Sequence, residues 1–306
     1  MAVASSAKGM THIHAHFATE ATTVAMFASI LTNTPFSFTI HAYDLLVSPR
    51  FLREKVEHAH SVVTISEFNR QYLASLLLKD RESLMEKVNV VHQGISIEDF
   101  IYLRSQQTDF PSELPILLTI ARLVPKKGHR YVMEALSLLK KRGIEARWIV
   151  AGDGPEKSML MRLSQELGLE NSVEFVGEID SSQVKELLSV ATIFVLPCVK
   201  DENGNMDGIP VAIMEAMAAG VPVVSTSVSG IPELIEHRTN GLLIAPFDVK
   251  ALMDSIQNLL EDADLYDRIV YAGQERIVQE FDVFSSAKRL IKLFEANTRL
   301  QPSQRQ

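Results

Sequence analysis

From one end of this chain to the other, short apolar runs rich in β-branched residues alternate with segments of helical period. That alternation leaves few folds open, because it is the pattern of parallel sheets covered by crossover helices. In the first third, strands are expected at His12–Ala15, Phe36–His41, Val62–Ile65 and Val88–Val91, with helices between them. From Ile101 to Pro115 the pattern stops: the polar run Arg104-Ser-Gln-Gln-Thr-Asp109, followed by Pro111 and Pro115, suits an interdomain linker. A second series then resumes, with strands expected near Ile116–Ala121, Arg147–Ala151, Val173–Val176, Thr192–Leu196, Val223–Ser225 and Gly241–Ile244, enough for a full second sheet. Asp248 is placed to cap a helix whose Leu252, Ile256, Leu259 and Leu260 form one apolar stripe. The expectation is therefore two α/β domains, 1–110 and 111–285. Residues 286–306 should add a helix packing back toward the first domain and a polar tail. At 306 residues and 46% apolar content, the chain can bury two cores.

The formal charge of −8 argues against nucleic-acid binding, which needs a basic face to neutralise phosphates. The single cysteine, Cys198, rules out an intrachain disulfide framework and fits a reducing compartment. The longest apolar run, around Val190 to Val199, is too short to cross a bilayer, and the first residues lack the pattern of a secretory signal, so a cytoplasmic location is expected. Peripheral contact with the inner membrane face stays open: Arg50, Arg53, Lys55, Arg70, Lys79 and Arg81 could share a face. Glu54, Glu57, Glu67 and Glu82 are interleaved with them, which favours an ordinary solvated surface.

The most informative stretch is Asp207-Gly208-Ile209-Pro210-Val211-Ala212-Ile-Met-Glu215-Ala-Met-Ala-Ala-Gly220. It sets two carboxylates eight positions apart around a helix start, with Pro210 suited to the first turn. The free N–H groups of Val211 and Ala212 would face an anionic ligand. Glu215 lies among apolar residues, where an ionised side chain without a partner is costly, and the hydroxyls of a bound ribose would supply one. The plain alternative is a turn aspartate and a solvated glutamate. Arg122-Leu-Val-Pro-Lys-Lys127-Gly128 follows a strand directly, at the edge where open α/β sheets bind ligands, and its cations suit a diphosphate. Gly152-Asp-Gly154-Pro-Glu-Lys157 lacks the third glycine of a dinucleotide fingerprint and reads equally well as a tight strand-to-helix turn.

In the first domain, His12, His14 and His16 alternate along a strand and so point to one side. No carboxylate or cysteine completes a metal site there, and no metal is expected. His16 at the strand end should be the exposed one. His41 ends the second strand at the same functional edge, where a core or capping role is the alternative.

Together these residues resemble retaining glycosyltransferase family 4, whose GT-B fold has two facing Rossmann-like domains. The likeness runs from about Thr11 to Asn297. Its most specific elements are Asp207 and Glu215 with Glu-Ala-Met-Ala, Arg122 with Lys127-Gly128, and the segment from Val176-Gly177 to Leu196-Pro197. The resemblance implies transfer of a hexose from a nucleoside diphosphate sugar to a glycan or lipid-linked acceptor, with retention, in polysaccharide assembly and without cofactor or metal. Asp207, in place of the family's usual glutamate, would contact the donor sugar and Glu215 the ribose hydroxyls. Backbone N–H groups of Ile209, Val211 and Ala212 would approach sugar and phosphate, with Gly208 and Pro210 lining the same substrate site. Arg122 and Lys127 would neutralise the diphosphate, Gly177-Glu178-Ile179 would border the base, His41 would stand near the transferred sugar and His16 on the acceptor side.

Family members begin with a strand, a glycine-rich loop and further βα units before the His-x-His strand. This chain enters almost directly at that strand, so its N-terminal domain is expected to be incomplete, with a sheet edge and apolar surface left for self-association or a partner chain to cover. Two other readings remain: a donor-binding half-enzyme that needs a partner chain for turnover, and a nucleotide-sugar epimerase.

Overall fold

A computed structural model describes residues 5–6, 9–77, 81–101, 103 and 114–299. Most of the expected linker and the whole of the Gln301–Gln306 tail lie outside the described residues. The chain forms two compact units. One comprises Met1–Gly94, Glu202–Gly208 and Val283–Gln306, and the other Ile95–Asp201 and Ile209–Asp282.

The first unit is a four-stranded parallel sheet in the order β1-β2-β3-β4: Ile13–His16, Phe36–Ile40, Ser61–Thr64 and Val88–Val90. Every residue of β2 and β3 is buried, as expected for strands covered on both faces. Phe36, Phe38, Ile40 and Val62 pack with Met26, Leu45, Val56 and Leu73 from the crossover helices. The helix Val283–Arg299 belongs to this unit; its Phe294 lies against the rings of His12 and His14, 4.9 and 4.8 Å between centroids. Ser286 donates to the His92 carbonyl at 2.8 Å.

The second unit holds β5 (Ile116–Ile120), β6 (Arg147–Ala151), β7 (Val173–Gly177), β8 (Ile193–Leu196), β9 (Val223–Thr226) and β10 (Leu242–Ile244). All pair in parallel, in the order β10-β9-β8-β5-β6-β7. Counted from β5, this is 6-5-4-1-2-3, the doubly wound Rossmann order, with its reversal between β5 and β8. Alternate residues feed two cores: Leu118, Ile149, Phe194 and Leu196 on one face, Leu117, Trp148, Val150 and Val195 on the other. Asp248 caps the helix Val249–Glu261 by accepting from the Ala251 N–H at 2.9 Å, and Leu252, Ile256 and Leu259 are buried.

Lys55 is not on a cationic surface. It is 1% exposed, and its Nζ is turned inward onto three carbonyls. Arg53 and Arg70 are paired with Glu57 and Glu67 at 2.7 and 3.1 Å. Among the described residues, no helix is long and apolar enough to cross a membrane.

Candidate functional site

In the second unit, the reversal of strand order opens a crevice beyond the carboxyl ends of β5 and β8, because the helices after these strands go to opposite faces of the sheet. Arg122 stands two residues past the end of β5, exposed, with no partner for its guanidinium among the described residues. Leu123 N–H donates to the Asp153 carbonyl at 2.9 Å, tying this loop to the turn after β6. Lys127 ends a single 3₁₀ turn, Pro125–Lys127, and is half-buried. Gly128 follows at φ +72°, and a Cβ there would lie 2.0 Å from the Pro197 carbonyl oxygen, in the segment after β8. Val199 N–H donates to the Lys126 carbonyl at 2.9 Å. The basic loop is thus fastened to both sides of the crevice.

Gly152-Asp-Gly154 is the tight turn that its composition allows. Asp153 accepts from the Gly154 N–H at 2.6 Å and pairs with Lys157 at 2.9 Å. Gly177 closes β7 at φ +78°, and its carbonyl accepts from Gly152 N–H at 2.7 Å; Glu178 is exposed and Ile179 half-buried beyond it.

Helix Val211–Ala218 starts one residue later than its proline suggests. Pro210 is the N-cap, at φ −66° and ψ 127°, because its extended ψ keeps it out of the first turn. Its carbonyl accepts from Ile213 N–H at 3.1 Å, while the N–H groups of Val211 and Ala212 have no partner among the described residues. They form the positive end of the helix dipole. Ile209 and Pro210 are buried, and Ile213, Met214, Ala216 and Met217 anchor the helix in the core. Glu215 is half-buried, and its carboxyl makes no hydrogen bond or ion pair among the described residues. Burial alone holds its pKa above the usual carboxylate range. Asp207, half-buried, and Gly208 belong to the first unit, so the two acids of the eight-residue spacing are carried by different units.

In the first unit, His16 ends β1 and His41 directly follows the neighbouring strand β2, with ring centroids 5.8 Å apart. They line a cavity of about 350 Å³ together with Phe17, Ile65, Gln93 and Leu290. Phe17 stacks on His41 at 4.2 Å. Burial, and secondarily the neighbouring His16, pushes His41 down to about 4, so its ring is neutral at pH 7; its Nε2 is buried without a partner among the described residues. His12 and His14 share the Ser37 hydroxyl at 2.7 Å, and His14 also meets Thr39 at 3.0 Å. Those two rings serve the packing under Phe294.

The charge pattern gave no sign of His129. It follows Lys126-Lys127-Gly128, yet it is fully buried, and neither ring nitrogen has a partner among the described residues. Burial, then Lys127, pushes it down to about 4. The unfolded chain, with the histidine at its ordinary 6.5, binds the proton more readily, so this stability is complete above pH 6.5 and lost as pH falls toward 4. The expected loss is about 3 kcal/mol. Urea unfolding followed through Trp148, which lies in the second unit, should show that slope, and His129→Leu should flatten it.

A family model described as glycosyl transferases group 1 matches residues 103–276. The putative colanic acid biosynthesis glycosyltransferase WcaL of Salmonella typhimurium is 35% identical over 211 residues, 69% of this chain and 51% of that protein. The amylovoran biosynthesis glycosyltransferase AmsK of Erwinia amylovora is 36% identical, with the same coverage. The chain spans about half the length of these curated relatives. Among solved structures, Anabaena HepE in complex with UDP and glucose superposes with a TM-score of 0.78 at 23% identity, over 96% of this chain and 80% of that one. At that identity the likeness speaks to the fold, which is GT-B with two Rossmann-like units.

Proposed function

Because the chain belongs to the glycosyl transferases group 1, we propose that it transfers a hexose from a nucleoside diphosphate sugar to a glycan or lipid-linked acceptor in polysaccharide assembly, with retention. The observation that carries the reading is the set of unmatched polar groups around one crevice end of a Rossmann sheet: the lone Glu215 carboxyl, the free N–H groups of Val211 and Ala212, and the exposed Arg122. These are the hydrogen-bonding complements of a ribose diol and a diphosphate. The names of the relatives, which speak of colanic acid and amylovoran biosynthesis, and the UDP and glucose in HepE agree with it.

In this reading Glu215 accepts hydrogen bonds from the ribose hydroxyls, and Gly177, Glu178 and Ile179 border the base. Arg122 and Lys127, with the N–H groups of Ile209, Val211 and Ala212, take up charge as the sugar–phosphate bond breaks. Asp207 and the backbone of Gly208 and Pro210 serve the donor sugar, and the neutral His41 ring offers it a hydrogen bond. His16 lines the acceptor side. The acceptor hydroxyl attacks the face the diphosphate leaves and passes its proton to that diphosphate, so no cofactor or metal is required. The protein contributes position and charge.

The test is incubation with a panel of nucleoside diphosphate hexoses, with and without glycan or lipid-linked acceptors, and NMR of the products. Transfer with the donor's anomeric configuration kept is the expected result. A sugar nucleotide altered at one carbon without any acceptor would instead show an epimerase. Donor binding with no turnover until a second chain is added would show a half-enzyme.

A further inference from the structure

Two buried charged side chains in the first unit take no part in the chemistry above. Asp44 is 0% exposed and Lys55 1%. They do not pair with each other; they grip one residue, Ala18, from opposite sides. The Ala18 N–H donates to Asp44 Oδ2, and Lys55 Nζ donates to the Ala18 carbonyl at 2.7 Å. The second Asp44 oxygen accepts from the His41 N–H at 2.9 Å. Lys55 spends its other protons on the carbonyls of Thr19, at 3.0 Å, and Arg50, at 2.9 Å.

Burying an ammonium and a carboxylate is costly, and a loop needing only to be closed could be closed with neutral groups. What the two charges join is specific. Ala18 follows His16 and Phe17, and Phe17 is held at φ +66°, a conformation rare for a bulky residue. Its N–H continues the sheet ladder to the Thr39 carbonyl at 2.9 Å, its carbonyl accepts from Thr22 Oγ1 at 2.6 Å, and its ring covers His41. The segment carrying His16 and Phe17 and the loop carrying His41 are therefore locked into one geometry through Asp44, with Lys55 fixing the carbonyl of the same residue, Ala18, in the next peptide group.

We infer that Asp44 and Lys55 are positioning residues that set the His41 ring against Phe17 and His16. The inference rests on the reading of His41 as the group serving the donor sugar, but its geometry can be examined without any substrate. Uniformly ¹⁵N-labelled full chain would be titrated by NMR, following the His41 ring nitrogens and the Ala18 amide, in wild type, D44N, K55M and T22V. In wild type the His41 ring, pushed down by burial to about 4, is expected to titrate there. In D44N and K55M the loosened ring gains water, so its midpoint should rise by at least one unit and the Ala18 amide should exchange at least ten-fold faster. T22V, which removes one tie and keeps the shape, should move both in the same direction by less. If D44N does not fold, K55M and T22V decide.

Folded K55M and T22V with lower unfolding midpoints but an unchanged His41 titration would mean a purely structural pair and overturn the inference. In the transfer assay, kcat should fall by about 100-fold in K55M with the donor KM unchanged, the signature of a displaced group rather than lost binding. A wild-type chain without transferase activity but with the histidine response would sink the functional reading and leave the clamp standing.

Discussion

Gly128→Ala is expected to cost the second unit more than about 3 kcal/mol and to abolish measurable donor binding, because two penalties coincide there. The residue is left-handed at φ +72°, and its Cβ would fall 2.0 Å from the Pro197 carbonyl oxygen, a backbone atom that cannot turn aside. Relief requires the basic loop to part from the segment after β8, which carries Lys126 and Lys127 out of register with the crevice. Gly143→Ala separates the two penalties: its φ is +77°, yet nothing lies within 4 Å of its Cβ, so only the backbone term of about 1 kcal/mol applies. Urea unfolding through Trp148 and calorimetric titration with UDP and GDP would measure both. Equal losses in the two variants would mean that the contact with Pro197 does not matter.

Glu215 should show opposite effects on binding and on stability. Glu215→Leu is expected to weaken nucleotide binding by about 10- to 100-fold, the worth of charge-assisted hydrogen bonds to a diol. It should at the same time raise the melting temperature, since a half-buried carboxyl without a partner is replaced by an apolar side chain in an apolar helix. Arg122→Ala, at an exposed position, should weaken binding with little change in melting temperature. Turnover unchanged in the Arg122→Ala, Glu215→Ala double variant would remove both residues from the site.

The element pattern was legible because a parallel strand buried on both faces can hardly be written except as a short apolar run. All ten strands among the described residues lie where those runs are, with ends differing by at most one residue. The acid in Glu-Ala-Met-Ala was legible for the same reason: its apolar neighbours made a charge there anomalous. The sheet order was not, since the reversal between β5 and β8 arises from which face each crossover helix takes, and no local residue encodes that. Lys55 and His129 were hidden by their company. A lysine within Leu-Arg-Glu-Lys-Val and a histidine after Lys-Lys-Gly look solvated, and only the fold shows the first turned onto carbonyls and the second sealed in the core. Asp44 sits three residues after His41, the spacing of a capping box, and that spacing was the available sign that it holds the His41 N–H.

The same strand order governs how the second unit is assembled in time. In the first unit, adjacent strands are close in sequence, Ile13 pairing with Phe36, so its sheet grows by short closures. At the centre of the second sheet, Ile116 N–H meets Thr192 Oγ1 across a separation of 76 residues. Closing that span is slow, and β5 with β6 and β7 can zip together long before β8 is available. During that interval the open side of β5, with Leu117 and Leu118 still uncovered, is a sticky template for other chains. A nascent polypeptide arrested between β7 and β8 should therefore aggregate or recruit chaperones, and one extended past β9 should not.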